Sequence, residues 1–139
     1  MVECDEVWTF VGSKRYDTWV WLAQDRYSRL IIGCAIGKRD RQTAEDLWYD
    51  LPAAYRQRAV LYTDELPAYS AVLPAKRHRP SRKGTGQTNH LERLNATLRA
   101  RCARLVRKTL SFSKSLRNLA GAIWLFIHDY NQHIFHATT

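Results

Sequence analysis

The chain has 139 residues, 45% of them apolar, with five tryptophans spread along its length. That is enough for one core and too little for two comfortable domains, so a single folded domain is expected. No apolar window of about 18 residues suggests a membrane span. The start, MVECDEVW, has no basic region followed by an apolar run, so no secretory signal is visible and a cytoplasmic location is expected. The formal charge is +9, and its placement matters more than its size. Residues 76 to 108 hold eleven Lys and Arg against one acid, Glu92, a net of +10. The rest of the chain holds eleven basic and twelve acidic residues. A charge excess confined to a quarter of the chain points to a polyanionic partner, most simply nucleic acid. Cys4, Cys34 and Cys102 are few, scattered and not in a C-x-x-C pair. They argue for small buried thiols rather than a zinc knuckle or a disulfide framework.

In chain order, VECDEVWTFV (residues 2–11) is rich in β-branched and aromatic types and reads as a strand. GSKRYD reads as a turn. TWVWLAQD and RLIIGCAIG follow as two more strands, giving an antiparallel meander. Alternation puts Trp19 and Trp21 on one face, which favours a packed sheet side. DRQTAEDLWYDLP reads as a short helix with Asp40 or Thr43 as cap and Leu47, Trp48 and Leu51 as its stripe. AVLYTDE reads as a buried strand with a polar tip. A turn or two of helix follows in LPAYSAVLP, then a short strand and a Gly-rich basic loop in AKRHRPSRKGTGQT.

From Thr88 the period becomes helical: Leu91, Leu94, Leu98, Cys102 and Leu105 form one stripe. After KTLSFS, with Ser111 or Ser113 as caps, a last helix presents Leu116, Leu119, Ala120, Ile123, Ile127 and Tyr130. Trp124 and Phe126 widen that stripe into a mostly buried helix. The order implies an α/β fold, a mixed sheet of three antiparallel strands plus parallel strands, flanked by helices.

Three acids stand out. Asp5 lies within an apolar strand, Asp64 ends the run AVLYTD, and Glu92 sits one residue off the leucine stripe of a basic helix. Each alone admits an ordinary role: a solvated strand face, a turn cap, an ion pair with arginine. Together they have the composition of a divalent-ion site, since hard cations take a few carboxylates plus phosphate oxygens. Two such ions about 4 Å apart serve phosphodiester chemistry. On the helix Asn89, Glu92, Asn95 and Arg99 share a face beside the leucines. Arg99 is suited to grip a phosphate, and Arg93, Arg101, Arg104 and Arg107 suit DNA backbone contacts. His128, His133 and His136 are spaced poorly for a metal.

The motifs ECDEVWTFVGSK, YTDE, TNHLERLNATLR and RLVRKTLSFSKSLRN…GAIWLFIHDYN closely resemble the catalytic half of bacterial transposases of the insertion sequence one family, over residues 3 to 133. That family belongs to the DDE transposases, whose catalytic domain is ribonuclease H-like. The resemblance implies that Asp5, Asp64 and Glu92 are the three catalytic acids, binding two Mg²⁺ or Mn²⁺ ions. Arg99 matches the basic position that follows the glutamate. Lys83, Asn89, His90, Arg93, Asn95, Arg99, Arg101, Arg104, Arg107 and Lys108 are then the DNA-binding set. The implied reaction is DNA end cleavage by water, then strand transfer by the released 3′-OH into double-stranded target DNA. The alternative is a non-catalytic DNA-binding remnant or regulator, whose binding would fall with salt and need no metal. A further alternative is a nuclease that cuts without joining. The resemblance also implies a homo-oligomer on DNA in the bacterial nucleoid. Complete members carry an upstream zinc-binding and helix-turn-helix region, which this sequence lacks, and Glu3 already lies in a strand. The chain is therefore expected to be a single catalytic domain, the C-terminal part of a longer product.

Overall fold

The computed structural model describes residues 1–11, 13–81, 89–108 and 116–138. Within these, the side chains of 9–17, 89, 99, 101–108, 116–118 and 138 are outside the description. Strands β1 (Val2–Val11), β2 (Ser13–Asp25) and β3 (Ile31–Gly37) come first. Helices α1 (Arg41–Asp50) and α2 (Ala53–Arg58), strand β4 (Leu61–Thr63), helix α3 (Pro67–Val72) and strand β5 (His78–Pro80) follow. Helices α4 (Asn89–Lys108) and α5 (Leu116–Thr138) complete the chain. The strands form one sheet in the order β3-β2-β1-β4-β5. The meander β1-β2-β3 is antiparallel, and β4 and β5 add in parallel.

The expected meander is present, with one difference. SKRYD is strand rather than turn, because pairing with β1 continues through Phe10↔Asp17 and, across a bulge, Val11↔Ser13. Ladder bonds use backbone groups, so charged side chains do not prevent them in a two-stranded extension.

Alternation divides the sheet into two faces. Val2, Cys4, Trp21, Ala23 and Ala35 pack under α1 and α3 with Leu47, Leu51 and Tyr69. Val7, Val20 and Leu22 pack under α4 and α5 with Leu91, Leu94, Leu98, Leu119, Ile123 and Phe126. Trp19 and Trp21 thus share the first face; the indole of Trp21 is fully buried, donates to Lys38 O at 3.2 Å and meets Tyr69 edge-on at 5.1 Å. Small residues let α1 approach β3. A Cβ on Gly33 would stand 2.8 Å from Leu51, and one on Gly37 2.6 Å from the Thr43 hydroxyl. Asp40 caps α1 by accepting from the Thr43 N–H at 3.1 Å.

Side chains from α1 and α5 bond the free edge of β3. Asp50 accepts from the Cys34 N–H at 2.8 Å, and the Asn131 amide bonds both the N–H and the C=O of Ile31 at 2.8 and 2.9 Å. An edge strand so occupied has fewer groups left to pair with another chain. On α5, Ala120 and Trp124 depart from the expected stripe and are exposed, Trp124 at 67%. The inward set is Leu119, Ala122, Ile123 and Phe126, and at about 100° per residue Trp124 turns off it. It stacks instead on His128, 5.8 Å away. Cys4 is buried, Cys34 is half-buried and its thiol is pushed up to about 12 by burial, and Cys102 lies outside the described side chains.

A candidate active site at the fork of β1 and β4

Parallel strands β1 and β4 pair only at Val2↔Leu61 and Glu3↔Tyr62. Beyond Glu3 they have no further pairing, which leaves a notch beside β1 at the carboxyl end of β4. Crevices at strand carboxyl ends are where open α/β sheets bind ligands. Asp5 lies on β1 two residues past the last pair, and Asp64 follows the last residue of β4. The structure brings these two sequence-predicted acids together. Oxygens of Asp5, Glu6 and Asp64 all lie within 4.8 Å of one another.

Each carboxylate is held differently. Asp5 is 5% exposed and accepts from the Asn95 amide at 3.2 Å. Asp64 accepts from the Leu66 N–H at 3.0 Å, so it also closes the turn into α3. The Thr63 hydroxyl donates to the Asp64 carbonyl at 2.7 Å and is 2.7 Å from His78 Nε2, fixing the strand end that carries Asp64. Glu6 was not anticipated. Its side chain points to the α1 and α3 face, where Tyr69 OH donates to one oxygen at 2.7 Å and Arg39 Nε to the other at 3.0 Å. Arg39 also stands 3.9 Å from Asp64, and its guanidinium lies over the Trp19 ring. Burial pushes the Glu6 carboxyl up to about 7; Asp64 and Asp5 push the same way, against Tyr69 and Arg39.

Helix α4 lies along the other side of β1. Asn95, expected among the DNA contacts, is 6% exposed and gives its amide to Asp5. Glu92, one turn earlier and half-buried, is not one of the three clustered carboxylates. It adds to the field at Glu3, whose pKa is raised first by burial, against Arg26 and Arg29. Glu3 is a second unanticipated acid. It is 1% exposed, has no hydrogen bond to either oxygen among the described residues, and has Arg26 at 3.8 Å. The argument that singled out Asp5, an acid in an apolar strand, applies equally to Glu3 and Glu6 and was the available signal.

His90 and Arg93 occupy the opposite flank of α4. The His90 imidazole is held below its ordinary value by burial and then by Arg29, Arg93 and Arg26. Lys83 lies outside the described residues, as do the side chains of Asn89, Arg99, Arg101, Arg104, Arg107 and Lys108. Among the described residues no helix is long and apolar enough to cross a membrane.

A hard divalent ion fits this donor set, since close carboxylate oxygens in a half-open notch are the ligands Mg²⁺ and Mn²⁺ take. A five-stranded mixed sheet, acids on its first strand and at the tip of its fourth, and a long helix laid on the first strand define a ribonuclease H-like fold. The chain belongs to the IS1 transposase family, whose model matches residues 1–135. It is 40% identical over 114 residues to the insertion element IS1 protein InsB of Shigella flexneri, covering 82% of this chain and 83% of that protein. It is 33% identical over 130 residues to the iso-IS1n protein InsB of Shigella dysenteriae, covering 92% and 94%. Against the IS1 4 protein InsB of Escherichia coli K12 it is 36% identical over 114 residues, spanning 65% of that protein.

Proposed function

We propose that this domain cleaves DNA at the ends of an insertion sequence and joins the released 3′ ends to target DNA. The observation that supports this best is the meeting of Asp5 and Asp64 at the strand fork, in a chain of the IS1 transposase family. Asp5 and Asp64 would hold divalent ions, with Glu92 completing the set from α4. Bound there, two such ions supply Lewis acidity to the attacking and leaving oxygens of a phosphodiester.

The chain's own residues do the rest. Asn95 orients Asp5 through its amide. Glu6, fixed by Tyr69 and Arg39, stands behind the notch, and Arg39 bridges it to Asp64. Arg99, Arg93, Arg101, Arg104, Arg107, Lys83 and Lys108 grip the DNA backbone, each as a sequence-independent contact. In this reading the domain works in the bacterial nucleoid as a homo-oligomer on paired ends, together with an upstream zinc and helix-turn-helix region.

The test is nicking and strand transfer with Mg²⁺, comparing wild type with Asp64→Asn and Glu92→Gln. Each substitution is expected to lower the rate by more than about 100-fold, beyond what loss of a supporting partner costs. Equal activity in all three would refute the assignment. Cut but unjoined products would point to a nuclease, and metal-independent binding without cutting to a regulator.

A further inference from the structure

Helix α4 has two flanks, and only one faces the acids. At about 100° per residue, Glu92 and Asn95 fall on one side of the Leu91, Leu94 and Leu98 stripe, while His90, Arg93 and Thr97 fall on the other. On that second side is a cleft of about 230 Å³, walled by His90, Arg93 and Thr97 of α4, Tyr130 of α5, and Gln24 and Arg29 of the β2–β3 hairpin. No acid lines it. Arg29 Nη1 is buried and has no hydrogen-bond partner among the described residues. That buried nitrogen lies in the field of the buried Glu3 carboxylate. What draws an anion to the cleft is its lining of three basic groups, Arg29, Arg93 and His90.

Arg29 also has φ +68°, the left-handed region that L-residues rarely adopt. Glycine would be the relaxed choice at that turn, so this backbone holds an arginine where the side chain, not the conformation, is useful. The turn is locked. Arg29 N–H donates to Asp25 O at 2.9 Å, and the Gln24 amide donates to Arg29 O at 2.8 Å and to Tyr130 OH at 3.1 Å. The outward crest of α4 between the cleft and the acids is low, with exposed Ala96 and Ala100.

We propose that this cleft binds a backbone phosphate of DNA through Arg29, Arg93 and His90, holding a strand that crosses the crest of α4 toward Asp5 and Asp64. Arg29 lines the cleft with a planar guanidinium, the group whose geometry suits a phosphate. The inference rests on the reading of the domain as acting on DNA, but its readout needs neither metal nor catalysis.

The experiment is binding of a fluorescent duplex to the full chain in EDTA, by anisotropy across a salt series. The proteins are wild type, Arg29→Gly, Arg29→Gln and, as a control, Arg41→Gln on the exposed side of α1. Arg29→Gly relaxes the backbone while removing the guanidinium, so its melting temperature should equal or exceed that of wild type. Both Arg29 variants should bind about tenfold more weakly, as loss of a charged hydrogen bond implies. Their log–log salt slope should be shallower by about 0.9, one phosphate contact, whatever the duplex sequence. Arg41→Gln, which removes a charge far from the cleft, should keep the wild-type slope. A folded Arg29→Gly with wild-type affinity and slope overturns the cleft. So does an Arg29→Gln that loses only competition by inorganic phosphate, which would make free phosphate the ligand. Wild type that binds no duplex would instead overturn the DNA reading itself.

Discussion

Under α1 and α3 the sheet presents Val2, Cys4, Trp21 and Ala23, whereas under α4 and α5 the same two strands present Glu3, Asp5 and Gln24 among Val7, Val20 and Leu22. Among the described residues of these two strands, the buried acid on the first face, Glu6, has both oxygens bonded, to Tyr69 and Arg39. On the second face both Glu3 oxygens, Gln24 Oε1 and Asn95 Oδ1 have no hydrogen bond among the described residues, as does Arg29 Nη1 beside them. Each such group costs about 1–3 kcal/mol. Both faces carry an apolar core, but the second also keeps several buried polar groups unbonded among the described residues, at a cost in stability.

The largest effect expected from this contrast is on the apolar face. Trp21→Ala removes a fully buried indole and should cost about 3–5 kcal/mol in chemical denaturation. DNA affinity per folded molecule should hold; a specific loss of DNA binding would break the division between the faces.

On the working face the expected effect is on chemistry. Asn95→Ala leaves Asp5 without its amide donor and should lower strand transfer about 10- to 100-fold, as loss of a partner supporting a metal ligand does. Its stability should fall by no more than about 1–3 kcal/mol, the cost of the lost hydrogen bond, offset in part by removal of the unbonded Asn95 oxygen. A large stability loss with unchanged strand transfer would reverse the assignment of Asn95.

The smallest effect lies at the hairpin that joins the faces. Burial raises the Asp25 carboxyl, but hydrogen bonds from Tyr55, Ser28 and Tyr27 outweigh it and hold the group below its ordinary value. A depressed carboxylate contributes stability that is present above its unfolded value and is lost as pH falls through the folded one. Tyr55→Phe, which removes the 2.6 Å bond to Asp25, should therefore cost about 1 kcal/mol at neutral pH. The difference from wild type should shrink as pH falls from about 4, the ordinary carboxyl value, through the lower folded value, beneath which Asp25 is protonated in both states. A difference independent of pH would mean that Tyr55 acts by packing alone.

Much of this was legible in the residues themselves. Period two placed Trp19 and Trp21 on one face, period 3.6 placed Leu91, Leu94 and Leu98 in the core, and Asp40 capped α1 as its type suggests. Asp5 and Asp64 were legible as a pair because each interrupts or ends an apolar run. What was hidden depends on contacts far apart in sequence. Nothing local in Tyr69 or Arg39 announces that both reach Glu6, and nothing local in Asn95 announces that it reaches Asp5. Helix α2, six residues after Pro52 with no buried side chain, has no periodic stripe to read. Trp124 was misjudged because an aromatic beside a helical stripe looks apolar in sequence, while one step of about 100° carries it to the outside.

The central claim is that the fork of β1 and β4 is a divalent-ion site, and binding of Mn²⁺ alone by calorimetry tests it most directly. Wild type should bind Mn²⁺, and Asp5→Asn and Asp64→Asn should each weaken that binding by more than about 100-fold. Arg29→Gly, on the far flank of α4, should bind Mn²⁺ as wild type does. Equal Mn²⁺ affinity in wild type, Asp5→Asn and Asp64→Asn would contradict the account.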